Sequence, residues 1–354
     1  MTDTPEIIRL TQFSHGAGCG CKIAPQVLEE ILHSDLSFPQ RDKLLVGNSS
    51  RDDAAVYDMS DGTAIISTTD FFTPIVDDAF DFGRIASANA ISDVYAMGGK
   101  PLLAIAILGW PVDKIPAHLA RRVLEGSRTI CAQAGIPLAG GHSIDSTEPI
   151  FGLAVTGTLK KECLKQNNTA KEGDLLFLTK PLGVGILSTA QKRGVLNPEH
   201  ISSFINQLTQ LNSIGEELGK IQEVTAMTDV TGFGLSGHLI EMAEGSHLSA
   251  EINYSRIPIH EHAREYLAQR MIPDATYRNW NSCSKKIGFD KGVNVMEAFS
   301  ILPDPQTNGG LLIAVKPSGK EKVQALFEAN GLKQFIEPIG IFTKVQEKCI
   351  TVKA

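Results

Sequence analysis

Residues 82–109 read FGRIASANAISDVYAMGGKPLLAIAILG, and two different periodicities follow each other along them. From Phe82 to Met97, Ile85, Ala88, Ile91 and Tyr95 recur at helical spacing, which predicts a helix with those four residues on its core face. Pro101–Gly109 is an unbroken apolar run of strand length, the pattern of a buried strand. A long helix feeding a buried strand predicts a layered fold containing both element types. Asn89 and Asp93 are four residues apart, so they share a second face of the same helix.

Outward from this core, the N-terminal side shows strand patterns at Leu44–Gly47, Ala54–Asp58 and Ala64–Thr69. Ser50-Arg51-Asp52-Asp53 lies between the first two, and the third ends at Asp70. IIRLTQF reads as a brief strand, and Ala24–His33 as a helix with proline near its first turn. Downstream come a helix over 114–134, a short strand Ile136–Ala139 running into GGHSIDS, and a strand Pro149–Thr158. Strands and helices mix without strict alternation, which predicts an α/β protein of α+β type with mixed sheets. The polar stretch KKECLKQNNTAKEGD (Lys160–Asp174) predicts a boundary between a domain at 1–160 and another at 170–354. The second half opens with a strand at Leu175–Thr179 and helices over 183–193 and 199–220. MTDVTGFGLSGHL is a glycine-rich loop opening a helix. A strand at 249–254, a helix at 259–270 and a polar surface loop at 274–292 precede DPQTNGG and a closing strand-helix-strand-strand run.

At 354 residues the chain accommodates two ordinary domains. Hydrophobic residues make up 42% and charged residues 21%, with a formal net charge of -7. Nucleic acid is excluded as the main partner, because phosphate-backbone binding requires a basic footprint. No stretch has the length of a membrane span, and the N-terminus lacks a signal-peptide pattern, so the chain reads as cytoplasmic. Six cysteines in such a chain do not make a disulfide framework. Cys131 sits in a helical pattern as a small core residue; Cys163, Cys283 and Cys349 read as structural.

Two groups of residues point to chemistry. SHGAGCGCKIAP (14–25) places three glycines, two cysteines and a lysine between Gly16 and Lys22. Glycines permit bending and close approach to a ligand, and a cation three residues from Cys19 favours its thiolate. This predicts a mobile catalytic segment carrying Cys19 and Lys22. It is neither a P-loop nor a dinucleotide fingerprint, since the spacing and the preceding strand are missing. A metal or redox role for the Cys19–Cys21 pair is weak without a second pair. The second group is Asp53, Asp70, Asp93 and Asp229, each just after an apolar strand-like run, beside glycines or one helical turn from another polar residue, with Asp70, Asp93 and Asp229 set in apolar or glycine-rich surroundings. One such aspartate alone is more often a cap or solvated residue. The group, with three of its members where bare charge is costly, points to a shared divalent cation, with magnesium taking oxygen ligands together with phosphates. Gly140–Ser143 reads as a tight turn or, less readily, as a loop offering backbone N–H groups to phosphate.

SHGAGCGCKIAP, NSSRDDAAVYD, ISTTDFF, ANAISDVYAMGGKP, AGGHSID, MTDVTGFGLSGHL and DPQTNGG, in this order, make the chain similar to the selenophosphate synthetases (selenide, water dikinases). The resemblance runs from Ile8 to about Gly340, and the Cys/Lys segment is its most specific part. It implies conversion of ATP, selenide and water to selenophosphate, AMP and orthophosphate with Mg2+. It also implies a two-domain fold related to aminoimidazole ribonucleotide synthetase, in a homodimer whose N-terminal sheets form a shared barrel. By motif, Cys19 matches the catalytic position and Lys22 the essential lysine that contacts nucleotide phosphate. Asp53, Asp93 and Asp229 match magnesium ligands. Ser50, Arg51, Asp52, Asp70 and Asp93 match nucleotide contacts, with Gly141, His142 and Ser143 supplied by the partner subunit. Asn308 departs from the serine of that pattern, outside the matched positions. Selenium would then arrive as free selenide or from a selenium-delivery protein. A related ATP-dependent kinase of small molecules such as thiamine phosphate is the alternative, and a non-catalytic thiol module the remoter one.

Overall fold

The computed structural model describes residues 8–14, 16–21, 27, 30–31, 42–47 and 52–354. The first half forms a six-stranded sheet from β1 (Leu44–Val46), β2 (Ala55–Asp58), β3 (Thr63–Phe72), β4 (Lys100–Trp110), β5 (Leu138–Asp145) and β6 (Ile150–Lys160). The spatial order is β1-β2-β3-β6-β4-β5, antiparallel except for the β4–β5 pair. Helices α1 (Ala79–Ala96) and α2 (Ala117–Gln133) cover one face.

Helix α1 organises the molecule. It opens where the Asp78 side chain accepts the Asp81 N–H at 2.9 Å, a side-chain N-cap. All its residues except Phe80, Asp81 and Arg84 are buried. A helix buried around its whole circumference is sandwiched rather than surface-lying, and α1 packs on β3 and β6 on one side and against the second half on the other. Its small residues allow that approach. A Cβ at Gly83 would collide with the Val123 carbonyl of α2, and one at Gly126 with the Phe80 carbonyl, so the two helices meet main chain to main chain.

The second half is a seven-stranded mixed sheet. Its strands are β7 (Leu175–Leu178), β8 (Val224–Asp229), β9 (Ser249–Asn253), β10 (Ile287–Phe289), β11 (Leu311–Val315), β12 (Gly340–Thr343) and β13 (Ile350–Lys353), in the order β10-β13-β9-β12-β7-β11-β8. Around it lie α3 (Val184–Lys192), α4 (Pro198–Thr209), α5 (Ile214–Gly219), α6 (Gly234–Gly245), α7 (Ala263–Ala268), α8 (Asp274–Cys283), α9 (Val295–Ile301) and α10 (Lys320–Ala329). The expected class of mixed α/β sheets is what the chain adopts.

Four local expectations change. The described part of IIRLTQF, residues 8–13, is not a strand: Leu10–Phe13 is a helical turn, tied by the Thr11 backbone N–H to Asp77 at 3.2 Å. The helix expected over 199–220 breaks at 210–213, where Asn212 turns inward. Residues 274–292 are not a long loop. Helix α8 forms there because Asn279 Nδ2 donates to the Gly232 and Pro303 carbonyls, at 2.8 and 2.9 Å. GGHSID is not a loop either; it lies within β5, paired with β4 through main-chain groups that side-chain patterning does not announce.

Candidate active site

The aspartates come from four elements and both halves. Asp53 precedes β2, Asp70 lies on β3, Asp93 on α1, and Asp229 ends β8. Thr68 and Asp70 alternate on the face of β3 that meets α1. Each carboxylate has a neutral donor. Thr68 Oγ1 donates to Asp93 Oδ2 at 2.5 Å, Ser92 Oγ to Asp229 Oδ2 at 2.5 Å, and Thr228 Oγ1 to Asp53 Oδ1 at 2.9 Å. Asn89 Nδ2 donates to Asp70 Oδ2 at 2.6 Å, while its Oδ1 accepts the Asn308 backbone N–H at 2.6 Å. A two-ended amide thus bridges the first sheet to the DPQTNGG turn.

These donors orient charge without neutralising it. Burial holds the Asp53 carboxyl well above the usual range, and the charges of Asp229, Asp52 and Asp93 add to that; only the Thr228 bond opposes it. Asp53 Oδ2 is buried with no hydrogen-bond partner among the described residues. Asp52 is pushed up to about 7 by burial, against two backbone N–H donors, Asn167 and Asp53. Carboxylates this close and this buried call for a cation. The donor set is entirely oxygen, which suits a hard divalent ion such as magnesium.

A ring of buried polar groups supports the cluster from the second half. Asn212 Nδ2 donates to Ser92 Oγ and to the Gly309 carbonyl, each at 2.8 Å. Lys180 is buried at the end of β7, and its Nζ donates to the Gln210 and Asn308 carbonyls at 2.7 and 2.8 Å. Burial pulls its pKa down to about 7, with the Asp229 charge opposing. Asn308 adopts a left-handed φ of 48° and donates through Nδ2 to the Leu208 and Gln210 carbonyls. The one residue that departed from the motif is therefore part of this wall. Sequence reasoning missed Lys180, Asn212 and the hydroxyls. Ser92 and Thr228 carried a signal, since each immediately precedes a cluster aspartate. Lys180 carried only a faint one, a lysine directly after the apolar run LLFLT.

Gly141, His142 and Ser143 are not brought to this cluster within one chain. They sit on exposed edge strand β5, three strand spacings from β3, roughly 14 Å. Cys19 belongs to the turn Gly18–Cys21, whose Gly18 N–H donates to the Thr73 carbonyl at 3.1 Å, just beyond Asp70. The side chain of Cys19, and residues Lys22, Ser50 and Arg51, lie outside the described residues.

Residues 51–159 match the model of the AIR synthase related protein, N-terminal domain, and residues 171–353 that of the AIR synthase related protein, C-terminal domain. Selenide, water dikinase from Colwellia psychrerythraea is 55% identical over 333 residues, covering 94% of this chain and 95% of that one. Its counterpart from Cronobacter sakazakii is 56% identical over 328 residues, covering 92% and 93%. Among solved structures, thiamine-monophosphate kinase from Stenotrophomonas maltophilia aligns with a TM-score of 0.64 at 20% identity, over 88% of this chain and 92% of that chain. Hydrogenase maturation protein HypE in complex with ATP gives 0.65 at 16% identity, over 95% and 88%. At such identities the two structures speak to the shared fold.

Proposed function

The chain belongs to the selenide, water dikinase family, and from that premise we propose that it turns ATP, selenide and water into selenophosphate, AMP and orthophosphate. The observation that carries this reading is the convergence of Asp53, Asp93 and Asp229 from both halves, in a chain that also bears the Gly16–Lys22 segment. Asp53, Asp93 and Asp229 would hold Mg2+, and the buried Asp53 Oδ2, without a hydrogen-bond partner among the described residues, supports that fit. When bound, the ion supplies positive charge between the carboxylates and the phosphates of ATP.

The chain's own residues orient and shield. Thr68, Ser92 and Thr228 fix the carboxylate rotamers before substrate arrives, so little reorganisation remains for the reaction itself. Ser50, Arg51, Asp52, Asp70 and Asp93 would contact nucleotide. Cys19 would hold or deliver selenium as its thiolate, and Lys22 would add a cation at the phosphates. Gly141, His142 and Ser143 would come from a second copy. The face of the first sheet away from α1 supports such a homodimer, with the barrel that the resemblance implies: it leaves Tyr57, Phe71, Leu103 and Ile105 exposed. The division into 1–160 and 170–354 and a cytoplasmic location belong to the same proposal. Among the described residues, no helix is long and apolar enough to cross a membrane.

Anaerobic phosphorus NMR of the protein with ATP, magnesium and selenide tests the reaction. A selenophosphate resonance rising with AMP and orthophosphate is expected, and Cys19→Ser should abolish it while leaving nucleotide binding intact. ADP as the final nucleotide would instead favour a kinase with another acceptor. No turnover with free selenide, restored by a protein-bound selenopersulfide donor with excess thiol as reductant, would identify a delivery protein as the source.

A further inference from the structure

The turn that carries Cys19 does not sit in a filled core. It borders a cavity of about 560 Å³, with Gly16, Ala17 and Gly20 on one side and Lys192, Arg278 and Thr307 on another. Glycine and alanine bury little apolar area, so other contacts have to hold the segment. Lys192, the last residue of α3, donates from Nζ to the Ser14 and Gly16 carbonyls, both at 3.0 Å. Arg278 of α8 donates from Nη2 to the Gly20 carbonyl at 2.9 Å. The two cations therefore grip the main chain on either side of Gly18. Gly18 has a φ of 51°, and a Cβ there would lie 2.5 Å from Thr307 Oγ1 and 2.7 Å from Ile75 Cδ1, so the turn fits closely only as glycine. Ahead of it, Arg9 pairs with Asp77 at 2.7 Å and donates to the Gln191 carbonyl at 3.2 Å, bringing the chain over the end of α3.

We infer that Lys192 and Arg278 are positioning residues for the proposed reaction, holding the Gly16–Cys21 turn between the two halves so that Cys19 is presented beside β3. This rests on the functional reading above. Both grips are charge-assisted bonds to backbone carbonyls across a cavity, so removing one should free the turn without opening the core. Neither contact depends on the side chain of the turn residue it holds. That explains how a segment made of glycine, alanine and cysteine is held in a defined place.

The test uses the full-length reduced protein and the variants Lys192→Met, Arg278→Met and Lys192→Arg. Iodoacetamide labelling is followed peptide by peptide, with the half-buried Cys163 as internal reference. In each Met variant the peptide bearing Cys19 and Cys21 should label about tenfold faster or more, the factor expected from losing at least one charge-assisted bond. Cys163 should keep its rate, and Lys192→Arg should restore the slow labelling. The KM for selenide should rise in the Met variants. Unchanged labelling of the Cys19 peptide in both Met variants would overturn the inference. So would a joint rise at Cys163, which would mean general loosening. If the wild type makes no selenophosphate but the labelling pattern appears, the grip stands and the proposed reaction falls.

Discussion

Around Asp53, carboxylates from both halves are each oriented by a hydroxyl or an amide and pressed towards their neighbours. Around Gly16 to Cys21, by contrast, the main chain hangs over a cavity from two cations. The cluster is electrostatically costly, because burial and like charge both oppose ionisation of Asp53. The turn stores no such cost and is held by a few replaceable bonds. One region is thus prepared for a ligand that neutralises it, and the other for a part that is placed. Changes in the two should differ in sign as well as size.

The largest effect is expected at the cluster. Asp53→Asn should lower turnover by roughly two orders of magnitude or more, since a bound cation contributes several kcal/mol. The same variant should raise the melting temperature of the metal-free protein by about 3 °C, the response to some 1 kcal/mol in a domain of this size. Calorimetry in chelator reads this. A lowered melting temperature would break the contrast, because it would mean the carboxylate is already compensated.

Next comes pH. The raised pKa of Asp52 makes the folded state hold that proton more tightly, so its stabilisation is full below 3.8 and lost as pH rises to about 7. The lowered pKa of Lys180 acts in the opposite window: the folded state gives up that proton first, and stability returns as pH rises from about 7 towards 10.5. Metal-free protein should therefore be least stable near neutrality. A melting series in chelator across this range checks it, and magnesium should raise the melting temperature more at pH 7 than at pH 5. An equal magnesium shift at both values would separate the ion from these carboxylates.

The smallest effect sharpens the boundary between the two regions. Asn308→Ser removes the two Nδ2 donations and places serine at a left-handed φ, yet leaves the backbone carbonyl for Lys180. Urea unfolding should show a loss of about 2 kcal/mol, with turnover changed far less than by Asp53→Asn. A turnover loss as large as that of Asp53→Asn would place Asn308 in the chemistry rather than behind it.

Much of the fold was legible because local periodicity carries it. Ile85, Ala88, Ile91 and Tyr95 are all buried as their spacing predicts, and Asn89 and Asp93 do face the site together. The costly setting of Asp70, Asp93 and Asp229 was also legible, since apolar and glycine-rich neighbours are a property of the chain itself. Long-range contacts account for what was missed. Helix α8 is polar in sequence, and what holds Asn279 inward is a pair of carbonyls 47 and 24 residues away. Strand β5 pairs through main-chain groups. Lys180, Asn212 and Asn308 gain their places only when the turn 304–310 packs beside α1. The sequence by itself determined which residues carry charge, softness and helical phase, because those belong to single residues and their near neighbours. Only the tertiary structure decided which charges share one buried space and which cations grip the Gly–Cys turn, because burial and distance arise when segments far apart in the chain meet.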